Sequence, residues 1–143
     1  AGEMNNALYI FDREEDGSLS FNDRVHVPHS GDNVEFDFAS RKLTMSGTPF
    51  LHQLMGRVNG DSSMIASGGM VSVEVLSDGS YLVEEVLMHD GSKLSLISSA
   101  VFANGKILLG SAPSDGVLVC PIPDQPISSK TIKGVQRRTI QSK

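Results

Sequence analysis

The stretch that decides the reading is His29-Ser30-Gly31-Asp32-Asn33-Val34-Glu35-Phe36-Asp37-Phe38. A turn of small polar residues leads into an Asp-Asn pair. An alternating run follows, with Val34, Phe36 and Phe38 on one face. Period-two alternation predicts a half-buried strand. Asp32 and Asn33 then stand where a loop enters a strand, and side chains there can project from a sheet end into a pocket. A carboxylate and an amide carbonyl suit a hard cation such as calcium, but that ion takes roughly 6 to 8 oxygens. Asp and Asn are also ordinary turn residues, because their side chains bond their own backbone.

Working outward, the punctuation is that of an all-β protein, with no apolar stripe at helical spacing. Strands are expected over 7–12 and 18–27, the second ended by Pro28. A hairpin is expected from 34–38 and 42–46 across Ala39-Ser40-Arg41. Residues 48–69 are irregular, broken by Gly56, Gly60, Gly68 and Gly69, with room for a short helix over 50–55. Strands over 70–76 and 81–88 flank Ser77-Asp78-Gly79-Ser80, and strands over 96–102 and 107–111 flank Asn104-Gly105. Asn-Gly is a strong two-residue hairpin turn because both residues accept positive φ. The last strand is expected over 116–122, after which Pro121, Pro123 and Pro126 end regular structure. About nine strands joined by short turns fit a propeller or a sandwich.

The 143 residues carry a formal net charge of −5 and suffice for one domain. No apolar run reaches about 18 residues, so nothing reads as a membrane span. The opening Ala1-Gly2-Glu3-Met4 lacks a signal-peptide pattern and looks like an interior stretch of a longer product. Charge is uneven. A body over 1–127 holds the acids, while a tail over 128–143 holds Lys130, Lys133, Arg137, Arg138 and Lys143 and no acid. Without interleaved aromatic residues the tail does not read as a nucleic-acid binder. It reads as a solvated terminus or a segment packed on its own acidic body, and nothing in it singles out a membrane surface. The single cysteine, Cys120, cannot form an internal disulfide.

Two further patterns compete for a metal. Asp12 to Asp23 approximates an EF-hand loop, with Gly17 at its sharp turn, but its flanks read as strands where that motif needs helices. His26-Val27-Pro28-His29 has H-x-x-H spacing, yet its proline disfavours the helix that would align both rings. No nucleophile elbow, phosphate-binding glycine loop or paired-cysteine site is present.

Several motifs resemble the C-terminal part of the paraoxonase/arylesterase family. Leu8-Tyr9-Ile10-Phe11-Asp12 looks like a family strand, Gly31-Asp32-Asn33-Val34 like its calcium-binding step, and Lys42-Leu43-Thr44-Met45-Ser46-Gly47 like the strand that follows. Asp90-Gly91-Ser92-Lys93-Leu94, Ser98-Ser99-Ala100-Val101-Phe102, Gly105-Lys106-Ile107-Leu108-Leu109-Gly110-Ser111 and Val117-Leu118-Val119-Cys120 resemble the family's end. The resemblance covers most of 7–122 and is weakest over 51–69.

It implies a partial six-bladed β-propeller: the end of one blade, one whole blade over about 32–88, and three strands of the last. An N-terminal portion of the same propeller would complete it, as a separate chain or part of a cleaved precursor. It implies a Ca2+-dependent hydrolase of lactones or aryl esters in which Asp32 and Asn33 are two of the metal ligands, the others lying upstream of Ala1. Ser98 and Ser99 would face the same central channel, or else serve as small residues opening a strand. His29 is a candidate proton shuttle, an exposed loop histidine being the alternative. The family's histidine and free cysteine are absent here, where Thr48 and Gly47 stand, which leaves Thr48 as a candidate pocket residue and the substrate range open. Cys120 occupies the place of a cysteine that the family pairs near its N-terminus. It is then a free thiol or half of a bond to another chain, the latter implying a secretory compartment. The other readings are a non-catalytic propeller binding module and a related sugar-lactone hydrolase.

Overall fold

The computed structural model describes residues 6–134. The expected strands form there: β1 (Ala7–Arg13), β2 (Leu19–His26), β3 (Ser30–Asp37), β4 (Lys42–Thr48), β5 (Gly68–Val75), β6 (Tyr81–His89), β7 (Ile97–Ala103), β8 (Lys106–Ser111) and β9 (Val117–Pro121). A short helix, α1 (Leu51–Val58), occupies the irregular segment, and a tenth strand, β10 (Ser128–Ile132), lies beyond the prolines. Among the described residues the strands make three antiparallel sheets, ordered β1-β2, β10-β6-β5-β4-β3 and β7-β8-β9.

Turn chemistry fixes the hairpins. Asn104 and Gly105 take φ of 49° and 71°, the left-handed pair that a tight β7–β8 turn requires. The β1–β2 connection is likewise a hairpin, with Glu14 N–H and Gly17 N–H closing the turn onto Ser18 and Glu14 carbonyls. Strands therefore flank the loop that approximates an EF-hand, and Asp12 takes both its contacts from Asn22 Nδ2 at 2.9 Å.

The five-stranded sheet is the middle layer. Met45, Val71, Val73 and Val83 on one face pack with Val25 and Val27 of the β1–β2 unit. Met70 and Val86 on the other pack with Leu94, Ile97, Ala100, Ile107 and Leu109. β5 is consequently buried along most of its length. Polar bonds tie the second interface as well: Thr44 Oγ1 donates to the Ala100 carbonyl at 3.2 Å and Ser46 Oγ to the Ser98 carbonyl at 2.5 Å. Those acceptors lie on β7, the edge of its sheet, so side chains from β4 supply bonds that a further strand would otherwise provide.

Two expectations are corrected. Val34 and Phe36 were expected to face a core, but both are exposed and Phe38 is 85% exposed. Their neighbours across the ladder, Met45 and Leu43, do pack with the first core cluster. Cover from β1–β2 therefore reaches β4 and only the opening of β3, where Ser30 Oγ donates to Asn6 Oδ1 at 3.0 Å, leaving Val34 and Phe36 exposed. Regular structure also does not end at the prolines. Ile127 N–H donates to the Glu85 carbonyl at 2.7 Å, and β10 then pairs with β6 from Ser128↔Glu85 to Ile132↔Tyr81. Ile132 packs against the first core cluster. This part of the basic segment lies on its own body; Arg137, Arg138 and Lys143 fall outside the described residues.

Candidate functional site

The Asp-Asn pair sits on a β-bulge. Gly31 pairs with Gly47 and Val34 with Met45, so Asp32 and Asn33 together oppose the single residue Ser46. A bulge bends the strand and re-aims its side chains, which is why bulges occur beside sites. β7 has a matching irregularity: Ile97 pairs with Ser111 and Ser99 with Gly110, leaving Ser98 without a partner. The two irregular segments meet, with Asn33 Nδ2 donating to the Ser98 carbonyl at 2.7 Å. That carbonyl therefore accepts from both Asn33 and Ser46.

These bonds orient the donors. With its amide nitrogen held by Ser98, Asn33 keeps Oδ1 for another partner, and neither Oδ1 nor the Asp32 carboxylate is hydrogen-bonded among the described residues. An amide oxygen without a hydrogen bond, next to an uncommitted carboxylate, is the donor chemistry of a calcium ligand pair. Among the described residues, however, no three His, Cys, Asp or Glu side chains cluster as a metal site. Asp32 and Asn33 fit part of such a site and not the whole.

Asp32, Thr48 and Ser98 line one cavity of about 270 Å³, walled by Leu54 and Val58 of α1 and by Leu96, Ala112 and Pro113. Leu96 holds a φ of 57°, a left-handed conformation that strains a bulky side chain. A neighbouring cleft of about 530 Å³ shares Val58, Leu96, Ala112 and Pro113 with it.

Thr48 lines the cavity without offering its hydroxyl to it, and the other candidates lie apart. Thr48 is buried and spends its hydroxyl on the Ser67 carbonyl at 2.6 Å. Ser99 directs Oγ over Gly110 on β8. His29 is buried, where a loop position suggested exposure; its Nε2 lies 2.9 Å from Glu85 Oε1, and Nδ1 has no partner. Its ring does not line the cavity around Asp32. Cys120 is a half-buried free thiol at the edge of the second core cluster.

Gly47 is required sterically: a Cβ there would collide with the Ser30 carbonyl, so any larger residue needs the β3–β4 ladder to move. Ser46, Leu54 and Leu96 escaped the sequence reading. Ser46 gains its role from ladder register, and the two leucines from where α1 and the β6–β7 connection come together; neither leaves a local motif.

No family model matches the chain, and no curated protein matches it in sequence. No helix among the described residues is long and apolar enough to cross a membrane.

Proposed function

We propose that this chain is the C-terminal part of a calcium-dependent lactonase or arylesterase, folded as part of a six-bladed propeller. The observation that carries the reading is the bulge at Asp32-Asn33, with the Asn33 amide turned so that Oδ1 stays available beside a carboxylate. The remaining ligands would come from an N-terminal portion of the same propeller. Calcium held there would polarise a lactone or ester carbonyl and stabilise the oxyanion formed on attack by water. Asp32 would offset part of the ion's charge. Asn33, fixed through Ser98, would add a neutral oxygen in a set direction. The cavity walls from α1, Leu96 and Pro113 would keep water from the apolar part of a substrate.

Sheet order supports the same reading. A two-stranded unit, a four-stranded meander β3 to β6 that β10 extends to five strands, and a three-stranded meander β7 to β9 would correspond to the end of one blade, a whole blade with an added outer strand, and most of the next. A secretory location and a link through Cys120 belong to this proposal. The second reading is a non-catalytic binding module, favoured by the lack of a third acidic or histidine ligand beside Asp32 among the described residues.

Calcium titration followed by amide NMR tests the assignment. Millimolar calcium should move the Asp32 and Asn33 resonances, and Asp32→Ala should remove that response while leaving strand signals in place. An unchanged response in Asp32→Ala overturns the ligand assignment. Hydrolysis is then assayed on aliphatic, aromatic and sugar lactones. With the N-terminal portion supplied, an intact fold with neither calcium response nor turnover selects the binding module, and turnover confined to sugar lactones selects the related hydrolase.

A further inference from the structure

A second cavity lies at the other end of β4. Lys42 opens that strand and Thr48 closes it, so at about 3.3 Å per residue the two sites stand roughly 20 Å apart. The cavity measures about 490 Å³, within the range of small-molecule sites. It forms between the middle sheet and the β7–β9 sheet, and its apolar wall is Val86, Phe102, Ile122, Pro123 and Pro126. The last three belong to the connection between β9 and β10. That connection is tied down where Ile127 N–H meets the Glu85 carbonyl at 2.7 Å and β10 joins β6. Two prolines between tethered ends leave a wall with little conformational freedom to lose on binding.

The polar floor has a definite sign. Lys42 Nζ is 2.9 Å from Glu84 Oε2 and 3.3 Å from Glu74 Oε2, so its charge is already matched. Ser72 Oγ adds a longer bond to the same Glu84 oxygen at 3.3 Å. Burial works against the Lys42 charge, but the hydrogen bonds and charges of Glu84 and Glu74 outweigh it and hold its pKa above the ordinary value. Asp37, at the rim, is engaged only with its own turn through Ser40 and Ala39. Two carboxylates, Asp37 and Glu84, thus line the cavity with one ammonium that Glu74 also pairs, and Glu84 Oε1 has no hydrogen bond among the described residues. An anionic ligand would meet excess negative charge, and a neutral one would leave that oxygen unmatched.

We propose that this cavity binds a small apolar amine, its ammonium on Glu84 Oε1 and its body between Phe102 and the proline wall. A ring face within reach of a cation adds to the attraction. The site is independent of the calcium reading and stands or falls separately.

The probe is 2-phenylethylamine, with 2-phenylethanol as its uncharged counterpart, titrated into the full chain and followed by amide NMR. The expected result is saturable shifts at Glu84, Val86, Phe102 and Ile122 with the amine, at least about tenfold weaker with the alcohol, since a charge-assisted hydrogen bond is lost. Glu84→Gln should bring the amine down to the affinity of the alcohol. If that variant fails to fold, Asp37→Asn at the rim replaces it and should weaken the amine by about threefold, a smaller effect because exposed charges interact weakly. Equal binding of amine and alcohol, shifts located elsewhere, or no shifts at 10 mM amine, a concentration at the order of magnitude where weak ligands still bind, would each overturn the proposal.

Discussion

β3 and β5 carry comparable patterns and have opposite fates. Val34 to Asp37 alternates apolar and polar residues and most of β3 is exposed; β5 is buried from Gly68 to Val73. β5 has β4 and β6 as ladder partners, with the first core cluster under one face and the second under the other. β3 has one ladder partner, and beyond its first residues β1–β2 does not cover it. Alternation thus specifies which side chains share a face, and burial depends on whether another layer arrives. The exposed strand is also the one with the Asp-Asn bulge. A strand held by one ladder can deform and present polar donors more freely than one fixed from four directions.

Core truncation should give the largest contrast. Met70→Ala on β5 removes a fully buried side chain and should cost about 2–5 kcal/mol, read by urea denaturation. Next is the buried pair that anchors the β6 end of the same sheet. Tyr81 donates its hydroxyl to Asp23 Oδ2 at 2.9 Å, and Tyr81→Phe should cost about 1–3 kcal/mol by leaving that carboxylate short of a donor. The pair should also set an alkaline limit. Burial, then the Asp23 bond and charge, push the Tyr81 hydroxyl up to about 12. Since the folded pKa exceeds the unfolded value of about 10, stability on the order of 2 kcal/mol is present below pH 10 and disappears as pH rises toward 12. Alkaline melts of the wild type should show that decline, and melts of Tyr81→Phe should lack it. The smallest effect belongs to β3. Phe36→Ser should change the stability of the chain alone by no more than about 0.5 kcal/mol, as an exposed position does. A much larger loss would mean that another chain covers this face in solution, and the contrast between the strands would then reflect assembly.

Much of the fold was legible. Nine strands, the short helix and the Asn-Gly hairpin follow from alternation, breakers and left-handed turn residues, which are local properties. β10 was not, because Ser128–Ile132 shows no alternation of its own and takes its conformation from the β6 edge. Of the candidate site, Asp32 and Asn33 were legible as donors at a strand's opening. Their bulge, the Ser46 and Asn33 bonds to Ser98, and the left-handed Leu96 depend on register and on meetings between distant segments. His29 misled for the same reason: nothing near it in sequence announces Glu85, 56 positions away.

The late return of β10 has a kinetic side. Ser128 closes on Glu85 across 43 positions, whereas the β5–β6 hairpin closes within a few. Loop-closure entropy makes the longer step the slower and later one. Until then the outer edge of β6 offers unpaired amides and carbonyls to any extended segment nearby, including the β6 of another molecule. Refolding yield should therefore fall with protein concentration more steeply than the stability of the finished sheet would suggest, with β10 acting as the chain's own guard against pairing with its neighbours.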